Sequence, residues 1–202
     1  MNRSARGGKP RAPGQVRIIG GDLRGSKLPV PVRDGLRPSS DRVRETLFNW
    51  LQPMLAGSRC LDLFAGSGAL GFEAASRGAR EVWMIEQDRE LARSLAASAA
   101  RLKVDGVRVL QADALQWLAS RSDDLSQRFD LVFVDPPFAG DFWRPVLQHL
   151  DGWLSDSGWL YLESTRGSGI QPGSGWRQHR RGQTRDVDYA LWQRQPGADA
   201  SG

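Results

Sequence analysis

The chain has 202 residues, 40% hydrophobic and 25% charged, which suits one α/β domain with an appendage and excludes a wholly disordered or fibrous chain. No apolar run approaches the roughly 20 residues that span a bilayer, and the start MNRSARGGKPRAPG lacks the apolar core of a secretory signal, so a cytoplasmic protein is expected. The net charge of +5 is unevenly placed: residues 1–44 hold 11 Lys+Arg against Asp22, Asp34 and Asp41, whereas the remaining 158 hold 17 against 20 Asp+Glu. A basic arm on a slightly acidic body points to a polyanionic partner, nucleic acid before a merely solvating tail.

Residues 1–15, rich in Gly, Pro and Arg, read as a disordered basic tail. Residues 16–35 read as a β-hairpin. VRIIGG is β-branched, Asp22 to Ser26 supply a turn, and KLPVPV resumes extended chain with Pro29 and Pro31 confining it to an edge. The hairpin carries Arg17, Arg24, Lys27 and Arg33. Ser39 or Ser40 can cap a following helix whose stripe is Val43, Leu47, Trp50, Leu51 and Met54. Packing explains that stripe, but not the polar approach RPSSDR, which brings Arg37, Ser39 and Arg42 to one helix start.

From Arg59 the pattern alternates. Strands are expected at 59–64, 81–85, 107–110, 129–134 and 158–163, and helices at 69–77, 88–103, 114–121 and 142–151. Such alternation predicts a parallel sheet covered on both faces, with ligands outside the C-terminal ends of its strands. Trp176 to Arg181 and Asp188 to Arg194 read as two closing strands, candidates for an antiparallel pair, after a Gly/Ser-rich loop; residues 196–202 read as a disordered tail. The lone Cys60 reads as packing, and the two histidines form no metal-ligand cluster, so no metal is expected.

Four strand ends carry polar chemistry. Asp62 leads into Phe64, Ala65, Gly66, Ser67 and Gly68, a tight turn before a helix start, where backbone N–H groups can approach a ligand. Glu86, followed by Gln87, stands 20 residues after Gly66 and can accept from ribose hydroxyls. Asp113 with the Ala114 N–H can read an adenine edge. Asp135-Pro136-Pro137-Phe138 ends the fourth strand. An exocyclic base amine is a poor nucleophile; the Asp135 carboxylate and the Pro136 carbonyl can accept its two N–H groups and favour tetrahedral geometry. The prolines stiffen the loop and Phe138 offers a stacking face for a flipped base. Each carboxylate alone could instead cap a helix or end a turn. Gly66, Gly68 and Gly71 also spell GxGxxG, which admits a dinucleotide and an oxidoreductase, although DPPF then goes unexplained.

The glycine turn together with DPPF resembles the class I methyltransferases that use S-adenosylmethionine on base amino groups. More closely, VRIIGGDLRGSKLPVP, GLRPSSDRVRETLFNWL, LDLFAGSGALG, IE and VFVDPPF resemble the RsmD family, the bacterial 16S rRNA guanine-N2 methyltransferases, over roughly residues 16–194. The resemblance implies a class I, Rossmann-like methyltransferase domain at 36–195 with a mostly parallel seven-stranded sheet, and a hairpin that grips rRNA. It implies S-adenosylmethionine as donor, S-adenosylhomocysteine as product, and a guanine in 16S rRNA of the small subunit as substrate. Arg37, Ser39 and Arg42 would close the cofactor pocket, and Asp135 to Phe138 would hold the guanine. An adenine-N6 methyltransferase acting on DNA or another RNA is the alternative, and a non-catalytic assembly factor the third reading. No exposed apolar stripe asks for a dimer, so a monomer is expected.

Overall fold

Strand β1 (Gly14–Arg17) pairs antiparallel with β2 (Lys27–Val30) in a two-stranded ribbon. Alternation puts Val16, Leu28 and Val30 on one buried face, where Ile18 joins them. β1 starts two residues before the expected hairpin, because Gly14 and Gln15 pair with Val30 and Pro29. The computed structural model describes residues 14–30, 40–120, 128–138 and 140–195. Arg33, Arg37 and Ser39, and the expected tail residues 1–13 and 196–202, lie outside the described residues.

Helix α1 (Asp41–Leu55) is capped by Ser40, whose Oγ accepts from the Val43 N–H at 3.3 Å. Its fully buried residues are Val43, Arg44, Leu47, Phe48, Leu51 and Leu55. Trp50 and Met54, expected in that stripe, are only partly buried; Trp50 stacks at the margin on Tyr189, 5.5 Å between centroids.

The alternating part follows as β3 (Arg59–Asp62), α2 (Ala69–Ser76), β4 (Glu81–Glu86), α3 (Arg89–Leu102), β5 (Val107–Gln111), α4 (Ala114–Ala119), β6 (Phe129–Val134), α5 (Trp143–His149), β7 (Leu154–Thr165), β8 (Trp176–Gln183) and β9 (Val187–Arg194). The seven strands from β3 onward form one sheet in the order β5-β4-β3-β6-β7-β9-β8. β3 to β7 are mutually parallel, and β9 runs antiparallel between β7 and β8. β7 begins four residues before the sequence expectation, since Leu154 pairs with Phe129 ahead of a register shift.

The central strands bury side chains on both faces, as a parallel sheet requires. Along β3, Cys60 joins Phe48, Phe72, Leu95 and Tyr161 on one face, whereas Leu61 joins Leu118, Val146, Trp153 and Leu160 on the other. The hairpin shares the first layer with α1, α2 and α3. Cys60 is buried beside Ser58, and burial pushes its thiol up to about 12, so it is inert packing. Among the described residues no helix is long and apolar enough to cross a membrane.

The hairpin is held by buried polar groups as well as by apolar contact. The Glu73 carboxylate of α2 accepts from the Ile19 and Gly20 N–H groups at 2.7 and 2.8 Å and from Arg77 Nε at 2.7 Å. Ser76 accepts from the Asp22 N–H through its carbonyl at 2.7 Å and from the Leu23 N–H through its hydroxyl at 2.9 Å. Arg44, fully buried, donates to the Arg17 carbonyl at 3.1 Å and to Asp41 at 2.6 Å, and lies 3.7 Å from Glu73. Gly21 has φ +74°, and a Cβ there would lie 1.8 Å from the Ser76 carbonyl oxygen, so this approach admits glycine alone.

Candidate active site

β3 ends in an apolar stretch that pins the following turn to its neighbours. The Leu63 N–H donates to the Phe133 carbonyl at 3.2 Å and the Ala65 N–H to the Ile85 carbonyl at 2.9 Å. Gly66 and Gly68 take φ +50° and +75°. A Cβ on Gly68 would lie 2.5 Å from Leu95 and 2.8 Å from Phe72, so the turn packs too closely for a side chain there. Gly68 is also the N-cap of α2 and offers no side-chain cap, which leaves helix-start donors for other acceptors. The Asp62 carboxylate takes one of them, the Gly71 N–H at 3.0 Å. Asp62 is 2% exposed, and burial pushes its carboxyl up to about 7 against the opposing bonds from Gly71 and Phe64. Its place is beneath the turn, shaping it, rather than on its surface.

Glu86 holds the same turn from β4. Its Oε2 accepts from the Gly66 N–H and its Oε1 from the Asp88 N–H, both at 2.8 Å. Burial raises its carboxyl, and the Asp88 and Gly66 N–H groups oppose the rise. Asp113, at the end of β5, caps α4 through the Gln116 N–H at 2.9 Å, and Ala114 is buried as the first residue of that helix. Phe64 is half-buried, Ala65 and Ser67 are buried, and Gln87 and Arg42 are exposed.

Strand register brings these groups to one level. Met84 and Phe133 both pair with Asp62, and Glu86 and Asp135 each stand two residues further on. They flank the turn on either side of β3, about 10 Å apart by strand spacing. Past Asp135, which is half-buried, Pro136 is buried, Pro137 is exposed and Phe138 is 41% exposed, an aromatic face left to solvent. Phe142, beyond that loop, meets Phe64 of the glycine turn edge-on with centroids 5.7 Å apart. The glycine turn and the segment after DPPF therefore meet at the strand ends, where the sequence reading expects the crevice.

Two groups near these strand ends escaped the sequence reading. Glu163 of β7 is buried and accepts from Tyr161 Oη at 2.6 Å, and Trp143 Nε1 donates to the Glu163 carbonyl at 3.0 Å. Val134 pairs with Leu162, so Glu163 stands level with Asp135 on the adjoining strand. Burial pushes the Tyr161 hydroxyl well above its ordinary range, and the Glu163 and Asp135 carboxylates push it further. Glu163 sits inside an apolar strand pattern, which gives no signal of a buried carboxylate.

Arg17, Arg24 and Lys27 are exposed on the hairpin. The hairpin turn rests on Glu73 and Ser76, the part of α2 remote from the glycine turn, and the Lys27 carbonyl accepts from Arg101 near the end of α3 at 2.7 Å. The Arg17 carbonyl, by contrast, accepts from Arg44 in the first turn of α1 at 3.1 Å. A cleft of about 630 Å³ opens separately between α5 and the 168–175 loop, with Arg144, Gln148 and Trp176 among its walls.

A protein family described as Conserved hypothetical protein 95 matches residues 16–193. Ribosomal RNA small subunit methyltransferase D of Escherichia coli strain K12 is 45% identical over 185 residues, covering 90% of this chain and 91% of that protein. The solved structure of yhhF from Escherichia coli superposes with TM-score 0.82 at 43% identity, covering 90% of this chain and 99% of the other. The fold is also that of a Thermus thermophilus 16S rRNA N2 G1207 methyltransferase solved with AdoMet and guanosine, at TM-score 0.68 and 21% identity, covering 91% of this chain and 50% of the other.

Proposed function

The chain belongs to the Conserved hypothetical protein 95 family, the RsmD family of ribosomal RNA methyltransferases, and from that premise we propose that it transfers a methyl group from S-adenosylmethionine to the exocyclic N2 of a guanine in the 16S rRNA of the small subunit. The observation that carries this reading is the placing of the Glu86-clamped glycine turn and Asp135 of DPPF at one level at the same end of the sheet. The strand order adds support: a dinucleotide fold closes its second half without an antiparallel strand inserted before the last one, and here β9 occupies that place.

The residues suit the donor. A carboxylate offers about four acceptor sites; the Gly66, Asp88 and Gln87 N–H groups bond that of Glu86, which leaves capacity for a ribose hydroxyl. Asp113 spends one oxygen on capping α4 and keeps the other for an adenine amine, with the Ala114 N–H beside it. Gly66 to Gly68 would carry the amino-acid part, and Arg37, Ser39 and Arg42 would close over it. When bound, S-adenosylmethionine supplies an electrophilic methyl on a sulfonium and leaves as S-adenosylhomocysteine.

The chain's own work is to hold the nucleophile. Asp135 and the Pro136 carbonyl accept the two N–H bonds of the guanine amine, which localises the nitrogen lone pair toward the methyl. Pro136 and Pro137 limit the loop's freedom, and exposed Phe138 stacks on the flipped base. The amine loses its proton after the C–N bond forms, so no strong base is required. Glu163, level with Asp135 on β7, is held in place by the Tyr161 hydroxyl. Exposed Arg17, Arg24 and Lys27, together with Arg33, take the RNA backbone. The test is incubation of unmodified small subunits with protein and S-adenosylmethionine, then nucleoside mass spectrometry of the 16S rRNA. N2-methylguanosine is expected; N6-methyladenosine would replace this reading by the alternative, and an unmodified rRNA would remove it.

A further inference from the structure

Residues 166–185 carry five arginines, one histidine and no carboxylate. The rest of residues 45–202 carries 12 Lys+Arg against 20 Asp+Glu, so this stretch is a basic island in an acidic body. It comprises the loop after β7, all of β8 and the first two residues of the β8–β9 turn, which Asp186 completes. Arg166, Arg177, Arg180, Arg181 and Arg185 are all exposed.

Topology directs one end of this island at the crevice. β9 starts with Val187 opposite Thr165, and β8 ends with Gln183 opposite Asp188. Arg166, Arg181 and Arg185 therefore stand at the same end of the sheet as Asp135. Three strand spacings, roughly 14 Å, separate β8 from β6 there. Arg180 and Arg177 continue the series down the outer edge.

Edge strands carry charge to resist pairing with other chains, and that alone would explain cations along β8. It does not explain Arg166 and Arg185, which lie in a loop and a turn outside the ladder. Neutralisation is also slight. Arg181 reaches Asp188 only at 3.5 Å, Arg177 donates to the neutral Gln193 at 2.8 Å, and Arg180 and Arg185 make no ion pair among the described residues.

We infer that this arginine edge is a second contact surface for the substrate RNA, binding the sugar-phosphate backbone that flanks the target nucleotide as it leaves the crevice across β7, β9 and β8. The inference rests on the proposed rRNA substrate. Guanidinium forks match phosphate oxygens in pairs, and all five cations are arginine rather than lysine. Bases need not be read here; the surface fixes register and leaves selection to the crevice.

The test compares wild type with the triple variant Arg166→Ala/Arg180→Ala/Arg185→Ala and with the corresponding triple Arg→Lys variant. Binding of 16S rRNA is titrated across salt, with S-adenosylhomocysteine affinity and thermal melting measured alongside. Each lost phosphate contact lowers the salt slope by about 0.7 for single-stranded RNA, so the Ala variant should lose about 2 units. Its KM for small subunits should rise, while cofactor affinity and melting stay as in wild type. The Lys variant should recover most of the slope. A wild-type slope and KM in the Ala variant, with wild type methylating subunits normally, would overturn this surface and leave the proposed function standing. A wild type that neither binds 16S rRNA nor methylates it would overturn both.

Discussion

Replacing Asp62 by Asn should change how stability depends on pH, by an amount that follows from its burial. The residue is 2% exposed, and its carboxyl is pushed from 3.8 up to about 7, chiefly by desolvation. The folded-state pKa is raised, so the folded chain binds a proton that the unfolded chain releases between those values. Stability from this group is therefore highest at low pH and is lost as pH rises through about 7. Three units at about 1.4 kcal/mol each give a full swing of about 4 kcal/mol, of which roughly 2–3 falls between about pH 5 and pH 8. Asparagine keeps an oxygen for the Gly71 N–H and has no charge to desolvate. Glu81 and Asp188, whose carboxyls are lowered, act in the opposite sense but are common to both proteins and cancel in the difference. Urea unfolding of both proteins at the two pH values reads it. Relative to wild type, Asp62→Asn should gain about 2–3 kcal/mol on going from pH 5 to pH 8. An equal difference at both pH values would refute the placement of a desolvated carboxylate under the glycine turn.

Glu86→Ala should weaken S-adenosylhomocysteine binding by about 1–3 kcal/mol in calorimetry and lower unfolding stability as well, because the Gly66 and Asp88 N–H groups lose their acceptor. Glu86→Gln, which keeps one oxygen, should lose less of both. Glu73→Gln should free the hairpin, seen as faster amide exchange at Ile19 and Gly20 with the sheet still protected, since a charge-assisted pair becomes neutral. Arg17→Ala/Arg24→Ala/Lys27→Ala should bind cofactor normally and methylate subunits poorly at physiological salt; unchanged methylation would make the hairpin merely structural.

Much of this architecture is legible in the residues because period and punctuation agree. Parallel strands such as VWMIE and LVFV are apolar on both faces, and Asp88 and Asp113 cap the helices that follow them. The strand ends were legible too, since Asp62, Glu86, Asp113 and Asp135 each close a strand pattern and stand at or just past the C-terminal ends of β3, β4, β5 and β6. What escaped were polar groups buried where the pattern expects apolar ones. Arg44 falls on the inner face of α1, yet helical spacing cannot reveal that the Arg17 carbonyl, Asp41 and Glu73 converge on it. Glu163 likewise interrupts a buried strand, and its partner Tyr161 lies two residues away on the same strand. Asp62 and Glu86 proved to be held by backbone donors whose positions depend on the folded turn. The function of GG at 20–21 is tertiary: it lets the hairpin touch Ser76.

The most direct test of the DPPF loop as the methyl-transfer centre is single-turnover methylation of unmodified small subunits by Asp135→Ala, with cofactor affinity measured in parallel. On the proposed reading the carboxylate orients the amine rather than the cofactor, so affinity should stay at the wild-type level. The rate should fall about 10²–10⁴-fold, the usual contribution of a positioned polar group of this kind. Asp135→Asn, with one acceptor oxygen retained, should fall less. A wild-type rate from Asp135→Ala would contradict the account and move the chemistry away from this loop.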